Sequence, residues 1–235
     1  MRINKYISET GYCSRRETDR LIAAKRITIN GVICEKGVDV FPNDVVLIDG
    51  KSIPKKDDPV YLALNKPVGI TCTAAQHVSG NIIDFVDYPV RIFPIGRLDK
   101  DSEGLILLTN DGDIVNKIMR SENGHEKEYV VEVDKPITEA FIHEMSNGIE
   151  MLGTITKPCK VLRIDEKEFT IILTQGLNRQ IRRMCKALGY RVKRLKRVRI
   201  MNIHLEGLET GNWRELTKDE SETLFDKLQG RDETN

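Results

Sequence analysis

The feature that most restricts this fold is a break. Lys51-Ser-Ile-Pro-Lys-Lys-Asp-Asp-Pro59 is polar, carries two prolines and has no apolar period, so it reads as a linker. In a chain of 235 residues it sets a module of about fifty residues apart from a larger region that must build its own core. In the module, Ile3, Tyr6 and Ile7 repeat with helical period and Gly11 ends that helix. Ser14 and Glu17, in Ser-Arg-Arg-Glu, form a capping box that opens a second helix to about Lys25. Ile27–Ile29 and Val32–Cys34 flank Asn30-Gly31, a strong hairpin signal. Val45–Ile48 reads as another strand, turned by Asp49-Gly50.

Beyond the break, strands are expected at Val60–Leu64, Ile92–Ile95, Leu105–Thr109, Tyr129–Val133, Lys160–Ile164 and Phe169–Thr174. Helices are expected at Gly112–Arg120, Glu139–Asn147, Arg179–Leu188 and Lys218–Lys227. That mixture predicts an α+β domain around a mixed sheet.

Several classes fall away on composition. The longest apolar runs, such as Leu105–Leu108, are too short to span a membrane, and the charged start Met-Arg-Ile-Asn-Lys does not read as a signal peptide. Five cysteines without a C-x-x-C pair fit reduced thiols in a cytoplasmic protein. Four isolated histidines give no metal-ligand spacing, so no metal is expected. The net charge is only +1, so binding to nucleic acid would have to rest on a local patch.

Such a patch exists. Asn178 to Arg199 holds Arg179, Arg182, Arg183, Lys186, Arg191, Lys193, Arg194, Lys196, Arg197 and Arg199, and no acid lies between Phe169 and Leu205. Ile181, Met184, Cys185 and Leu188 fall on one helical face, and Arg179, Arg183 and Lys186 on the other. Arg182 lies about 100° from Ile181, at the stripe's edge, where an arginine would reach back to a carboxylate. The other cations are placed to meet phosphates, each releasing counterions; a solvated helix face would normally carry acids as well. Separately, Asp99 lies in Phe93-Pro-Ile-Gly-Arg-Leu-Asp-Lys-Asp-Ser-Glu-Gly-Leu105, a glycine-bounded loop between two apolar segments. Such a carboxylate is a nucleophile, a metal ligand or a turn former, and spacing alone favours the turn former.

The motifs go further. Gly96-Arg-Leu-Asp99 with Ser102-x-Gly104-Leu105, Asn65-Lys-Pro-x-Gly69 upstream and Asn178-Arg-Gln-Ile-Arg-Arg-Met184 downstream resemble, in that order, the signatures of RNA pseudouridine synthases of the RsuA family. The first module, with Ser14–Glu17 and Asn30-Gly31, is similar to the S4 RNA-binding domain that usually precedes them. His125–Tyr129, Arg199–Asn202 and Gly211-x-Trp213-Arg214 favour the branch acting on large-subunit ribosomal RNA.

The resemblance implies an S4-like domain over 1–55 and a catalytic domain over 60–235 with a mixed, mostly antiparallel sheet. Asp99 matches the catalytic aspartate, Arg182 the arginine that pairs with it, and Tyr129 the tyrosine that stacks on the base. As a sequence feature alone, a tyrosine opening a strand is usually core. Arg97 matches a position that enters the RNA helix where the target leaves. Leu173 is the candidate apolar floor beneath the uracil, with plain strand core as its alternative. Arg179, Arg183, Lys193 and Lys196 would bind substrate, and Arg15, Arg16 and Arg20 would give the module its RNA face. No cofactor is implied, because the reaction is an internal isomerisation. A cytoplasmic monomer acting on ribosomal RNA is expected, with small-subunit RNA or tRNA as other substrates. A non-catalytic S4-type assembly factor and a metal-dependent nuclease using Asp99 and Asp101 are the competing classes; neither the intact motif set nor the missing acid cluster favours them.

Overall fold

A computed structural model describes residues 1–75, 77–120 and 124–230. The chain divides into two compact units. The first comprises residues 1–60 together with Tyr88–Ile92 and Asn110–Gly112, two short segments that lie beyond the break in sequence. It contains helices α1 (Ile3–Glu9) and α2 (Arg15–Ala23), then strands β1 (Ile27–Ile29), β2 (Val32–Ile33), β3 (Val46–Ile48) and β4 (Lys51–Ser52), in the sheet order β2-β1-β3-β4. Ser14 caps α2 by accepting from the Glu17 amide at 3.1 Å. Asn30-Gly31 joins β1 to β2 with both φ angles positive, as a two-residue hairpin turn demands. Asp49-Gly50 does the same between β3 and β4. Lys51 and Ser52 therefore belong to a strand, and the break begins only at Ile53. Ile3, Ile7, Leu21, Ile22, Ile27, Val46 and Ile48 form the core of this unit.

The second unit runs from β5 (Tyr61–Lys66) through α3 (Ile82–Val86), β6 (Phe93–Pro94), β7 (Glu103–Thr109), α4 (Gly112–Met119), β8 (Lys127–Val133) and α5 (Glu139–Asn147). It continues with β9 (Glu150–Met151), β10 (Thr154–Ile155), β11 (Lys160–Arg163), β12 (Glu168–Leu173), α6 (Gln180–Ala187), β13 (Val192–Ile200), β14 (Ile203–His204), β15 (Trp213–Glu215) and α7 (Lys218–Leu228). Its main sheet has the order β11-β12-β8-β13-β7-β5-β15, with β6 on β7 and β14 on β13. Among the described residues its one parallel pairing is β13 with β7, so the sheet is mixed and mostly antiparallel. Each face has its own core. Val131, Phe169, Ile171 and Leu195 pack with Phe141 and Met145 of α5 and Ile181, Met184 and Cys185 of α6. Ala63, Leu105 and Leu107 pack with Ile114 and Ile118 of α4 and Leu224 of α7.

Strand β13 is not among the elements that the sequence predicts. The basic run after Gly189 is a central strand between β8 and β7. Its three arginines are paired within the protein, Arg194 at the surface and Arg197 fully inside. Arg194 meets Glu103, Arg197 donates to the Leu105 carbonyl, and Arg199 bridges Glu126 and Glu128.

Candidate active site

Asp99 stands on the loop that joins β6 to β7, and the main chain of that loop is held from several directions. The Ile95 amide donates to the Leu107 carbonyl at 2.7 Å and the Leu98 amide to Cys72 Sγ at 3.4 Å. The Gly69 amide donates to the Lys100 carbonyl at 2.7 Å, and the Ser102 amide closes the turn on the Asp99 carbonyl at 3.0 Å. The Asn65–Gly69 motif thus acts as a brace. Lys66, fully buried, donates from Nζ to the carbonyls of Pro67 and Ile70, which fixes the turn carrying Gly69. Gly104 ends the loop at φ +105°, and a Cβ there would overlap the backbone of Arg197. Only glycine lets β7 approach β13 in this register.

The side chain of Asp99 is 37% exposed, and its nearest cation is Arg179, with Nη1 3.5 Å from Oδ2. Arg179 itself grips Asp101 with two parallel bonds of 2.9 and 2.8 Å. That hydrogen bonding, aided by the charge of Arg182, holds the Asp101 carboxyl below its usual range. Arg182 reaches back to the loop from the edge of the apolar stripe, as the helix period predicts, but not to Asp99. Its Nη2 donates to the Asp101 carbonyl at 2.8 Å and to Ser102 Oγ at 3.1 Å, and its Nε lies 3.5 Å from Asp101 Oδ2. The expected Arg182–Asp99 pair is therefore corrected. Arg182 holds the loop's backbone, and Arg179, expected on the outer face of α6, supplies the charge nearer Asp99. Arg179 sits at the helix N-cap with φ 48°, a left-handed turn that redirects its side chain.

Beneath the loop the sheet carries cations that motif reasoning did not single out as site residues. Strand register aligns Lys66 with Gly104, Gly104 with Arg197, and Arg197 with Tyr129. Arg197 is 4% exposed. Its Nε donates to the Leu105 carbonyl at 2.7 Å, its guanidinium carbon lies 6.0 Å from the Tyr129 ring centre, and its Nη2 has no partner among the described residues. Lys127, two residues before Tyr129 on β8, is also buried. Loss of water, with the charge of Arg197 added, pushes its ammonium down to about 8. Tyr129 is half-buried and packs at the edge of the α6-side core.

The other predicted residues separate. Leu173 is buried in that core, which favours strand packing over a floor for the base. Arg97 is exposed and makes no ion pair with Asp101, which the two α6 arginines occupy. Arg183 is exposed and folds back on Asn178 through its carbonyl and side chain. Lys193 is exposed, whereas Lys196 is half-buried with its backbone paired to Glu103 and Val130. In the first unit Arg15, Arg16 and Arg20 are exposed on α2, Arg20 pairing with Glu17. Among the described residues, no group of three histidines, cysteines or acids could hold a metal ion, and no helix is long and apolar enough to cross a membrane.

Comparison with known proteins bears on the same residues. Residues 60–187 match the family model described as RNA pseudouridylate synthase, and residues 1–46 match the S4 domain. The chain is 56% identical over 227 residues to the dual-specificity RNA pseudouridine synthase RluF of Escherichia coli K12, covering 96% of this chain and 78% of that one. It is 37% identical to the ribosomal large subunit pseudouridine synthase B of Bacillus subtilis, covering 95% of each. A crystal structure of a pseudouridylate synthase superposes with a TM-score of 0.71 at 32% identity, covering 95% of this chain and 99% of that one.

Proposed function

The chain belongs to the RNA pseudouridylate synthase family, and from that premise we propose that it isomerises a uridine of large-subunit ribosomal RNA with Asp99 as the nucleophile. The observation that carries this reading is the placement of Asp99. Its backbone is tied by Ser102 and flanked by tethered residues on both sides, while its carboxylate stays half-exposed and makes only a loose contact with Arg179. A turn former would have its side chain engaged; this one is left available to a substrate.

In this reading the target nucleotide is flipped out of its stack. Asp99 bonds to the ribose C1′ as the bond to N1 breaks, leaving the electron pair on the base. The base turns, C5 bonds to C1′, and the carboxylate is released. C5 then gives up its proton and N1 takes one, so no oxidant, phosphate or cofactor enters. Tyr129 stacks on the base and assists proton removal from C5. Arg182 positions Asp99 by holding the Asp101 carbonyl and the Ser102 hydroxyl, and Arg97 enters the gap in the RNA, its planar guanidinium replacing part of the lost stacking. The S4 domain, with boundaries proposed at 1–55, places the RNA for a catalytic domain over 60–235. The protein works as a monomer in the cytoplasm. The dual specificity named for the Escherichia coli relative supports a second RNA substrate, for which tRNA is the candidate.

The test maps pseudouridine in ribosomal and transfer RNA from cells with and without the protein, then repeats it with Asp99→Asn. One or more sites should vanish without the protein and stay absent with Asp99→Asn, while RNA affinity stays within a few-fold of wild type. Turnover by Asp99→Asn comparable to wild type would overturn the mechanism.

A further inference from the structure

Beside the catalytic loop, on the second unit, α6 and the turn into β13 line an open cavity of about 610 Å³. Its lining includes Arg179, Arg182, Lys186 and Arg191, with Asp134 and Tyr190. Four cations therefore face one carboxylate, and that carboxylate is already committed. Asp134 accepts from the Arg191 amide at 2.8 Å, which holds it below its usual range. Arg179 and Arg182 are engaged on the far side with the Asp101–Ser102 segment. Lys186 and Arg191 are exposed, and neither side chain makes a hydrogen bond or ion pair among the described residues. Tyr190 is a fixed wall. Its hydroxyl donates to the Pro136 carbonyl at 3.1 Å, its ring packs on Phe141 at 4.4 Å, and Lys135 lies over the ring at the same distance. The cavity thus has unused positive donors and no free aromatic face on which a base could stack.

We infer that this cavity is a phosphate subsite, formed by Lys186 and Arg191 with Arg179 and Arg182 behind them, that holds one backbone phosphodiester of the RNA close to the flipped nucleotide. The inference rests on the proposed function for the identity of the RNA. Its charge and shape suit an oxyanion, since ammonium and guanidinium groups bind phosphate oxygens through charge-assisted bonds. Proximity to the reacting centre follows from Arg179, which lines the cavity and also lies 3.5 Å from Asp99. The same two arginines that receive the strand also hold the catalytic loop, so the register of the RNA and the position of the carboxylate are set by shared side chains.

The experiment uses the full chain and an RNA hairpin centred on a uridine that the wild-type protein converts in a large-subunit ribosomal RNA transcript. Single uncharged methylphosphonates are scanned through the nucleotides flanking that uridine, and affinity is measured for wild type, Lys186→Ala, Arg191→Ala and the double variant. At one position the methylphosphonate should weaken wild-type binding about 3–10-fold and have little further effect on the double variant, the sign of a direct interaction between the two. Each single variant should also flatten the dependence of log affinity on log salt, by up to about 0.9 for each phosphate charge that is no longer neutralised. Lys227→Ala, at an exposed position of α7, should change neither quantity. If the methylphosphonate at every position costs the double variant as much as wild type, the subsite is wrong. If inorganic phosphate binds wild type and not the double variant at sub-millimolar concentration, and saturating RNA does not compete with it, the cavity is a site for a free anion and the RNA assignment is overturned. If the wild-type protein converts no uridine, the function falls instead, and the affinity cycle is read on any hairpin it binds.

Discussion

The two halves of the basic stretch carry similar charge and use it differently. In α6, Arg179 and Arg182 extend across to the Asp101–Ser102 segment, while Arg183 and Lys186 stay at the surface. In β13, Arg197 is enclosed in the sheet and Arg194 and Arg199 are bound to glutamates of neighbouring strands. A helix of period 3.6 sorts its cations by angle, so one face packs and another remains free. Where a central strand is buried, as at Arg197, a cation must find an internal partner; only at its open start, at Lys193 and Arg194, does β13 leave cations at the surface. Local density of lysine and arginine therefore does not by itself mark a phosphate-binding surface. The acids that answer these cations lie elsewhere in the chain, at positions 101, 103, 126 and 128.

The sharpest way to break this comparison is to truncate one arginine from each half. Arg182→Ala removes the Nη2 donor shared by the Asp101 carbonyl and the Ser102 hydroxyl of the Asp99 loop but leaves the sheet intact. Single-turnover conversion at saturating RNA should fall by on the order of a hundredfold or more, as when a positioned donor is deleted. The salt dependence of binding should barely change. Arg182→Lys should restore part of the rate, because a point charge lacks the planar fork. Arg197→Ala should act on the fold instead. It leaves a cavity and strips the Leu105 carbonyl of its buried partner, which together cost about 3 kcal/mol in denaturant titrations. A rate loss without a stability loss for Arg197→Ala would mean that the strand half is also catalytic machinery.

Lys127 supplies a smaller test with a defined sign. Its folded-state value of about 8 lies below the unfolded value near 10.5, so between these pH values the unfolded chain holds a proton that the folded chain lacks. Stability from this group therefore rises as pH climbs from about 8 to 10.5, and below 8 the folded protein carries a constant penalty of up to about 3 kcal/mol. Lys127→Met should flatten that alkaline rise and stabilise the protein at pH 7. Denaturation midpoints at pH 7 and pH 10, compared between wild type and variant, measure both effects. An unchanged slope would show that Lys127 is solvated.

Much of the fold could be read from the chain because its signals are local. Asn30-Gly31 and Asp49-Gly50 need only their own φ angles to make hairpins, and Ile181, Met184 and Cys185 declare the buried face of α6 by spacing. The strand β13 gave no such signal. Its register shifts between Val192 and Arg194 and again between Arg197 and Arg199, so side chains do not alternate with period two. The reading of Asp99 as a nucleophile rests on motif order, since a carboxylate on a glycine-bounded loop is ambiguous by spacing alone. The partner of Arg182 was misjudged because a helical wheel gives a direction, not which of two acids, two residues apart, lies at the end of it. Arg197 was hidden because burial depends on strand order, which no local pattern carries.

The smallest expected effect belongs to the residues of the strand half that remain exposed. Lys193 follows Val192 at the start of β13 and is open to solvent, with no side-chain hydrogen bond or ion pair among the described residues. If it meets RNA at all, it does so as one point charge against a phosphate. Lys193→Ala should then weaken binding only about 2–4-fold at moderate salt, equally for substrate and unrelated RNA, and lower the log–log salt slope by at most about 0.9. Lys196→Ala is the internal comparison. Its half-buried side chain and its backbone pairing with Glu103 and Val130 place it nearer the sheet, so it should lose some stability as well as some affinity. Neither should slow single-turnover conversion once RNA is saturating. Affinities across a salt series, with melting temperatures beside them, separate the two lysines. A rate loss for Lys193→Ala at saturation would show that even the exposed cations of β13 serve the chemistry, and the division between the two halves would fail.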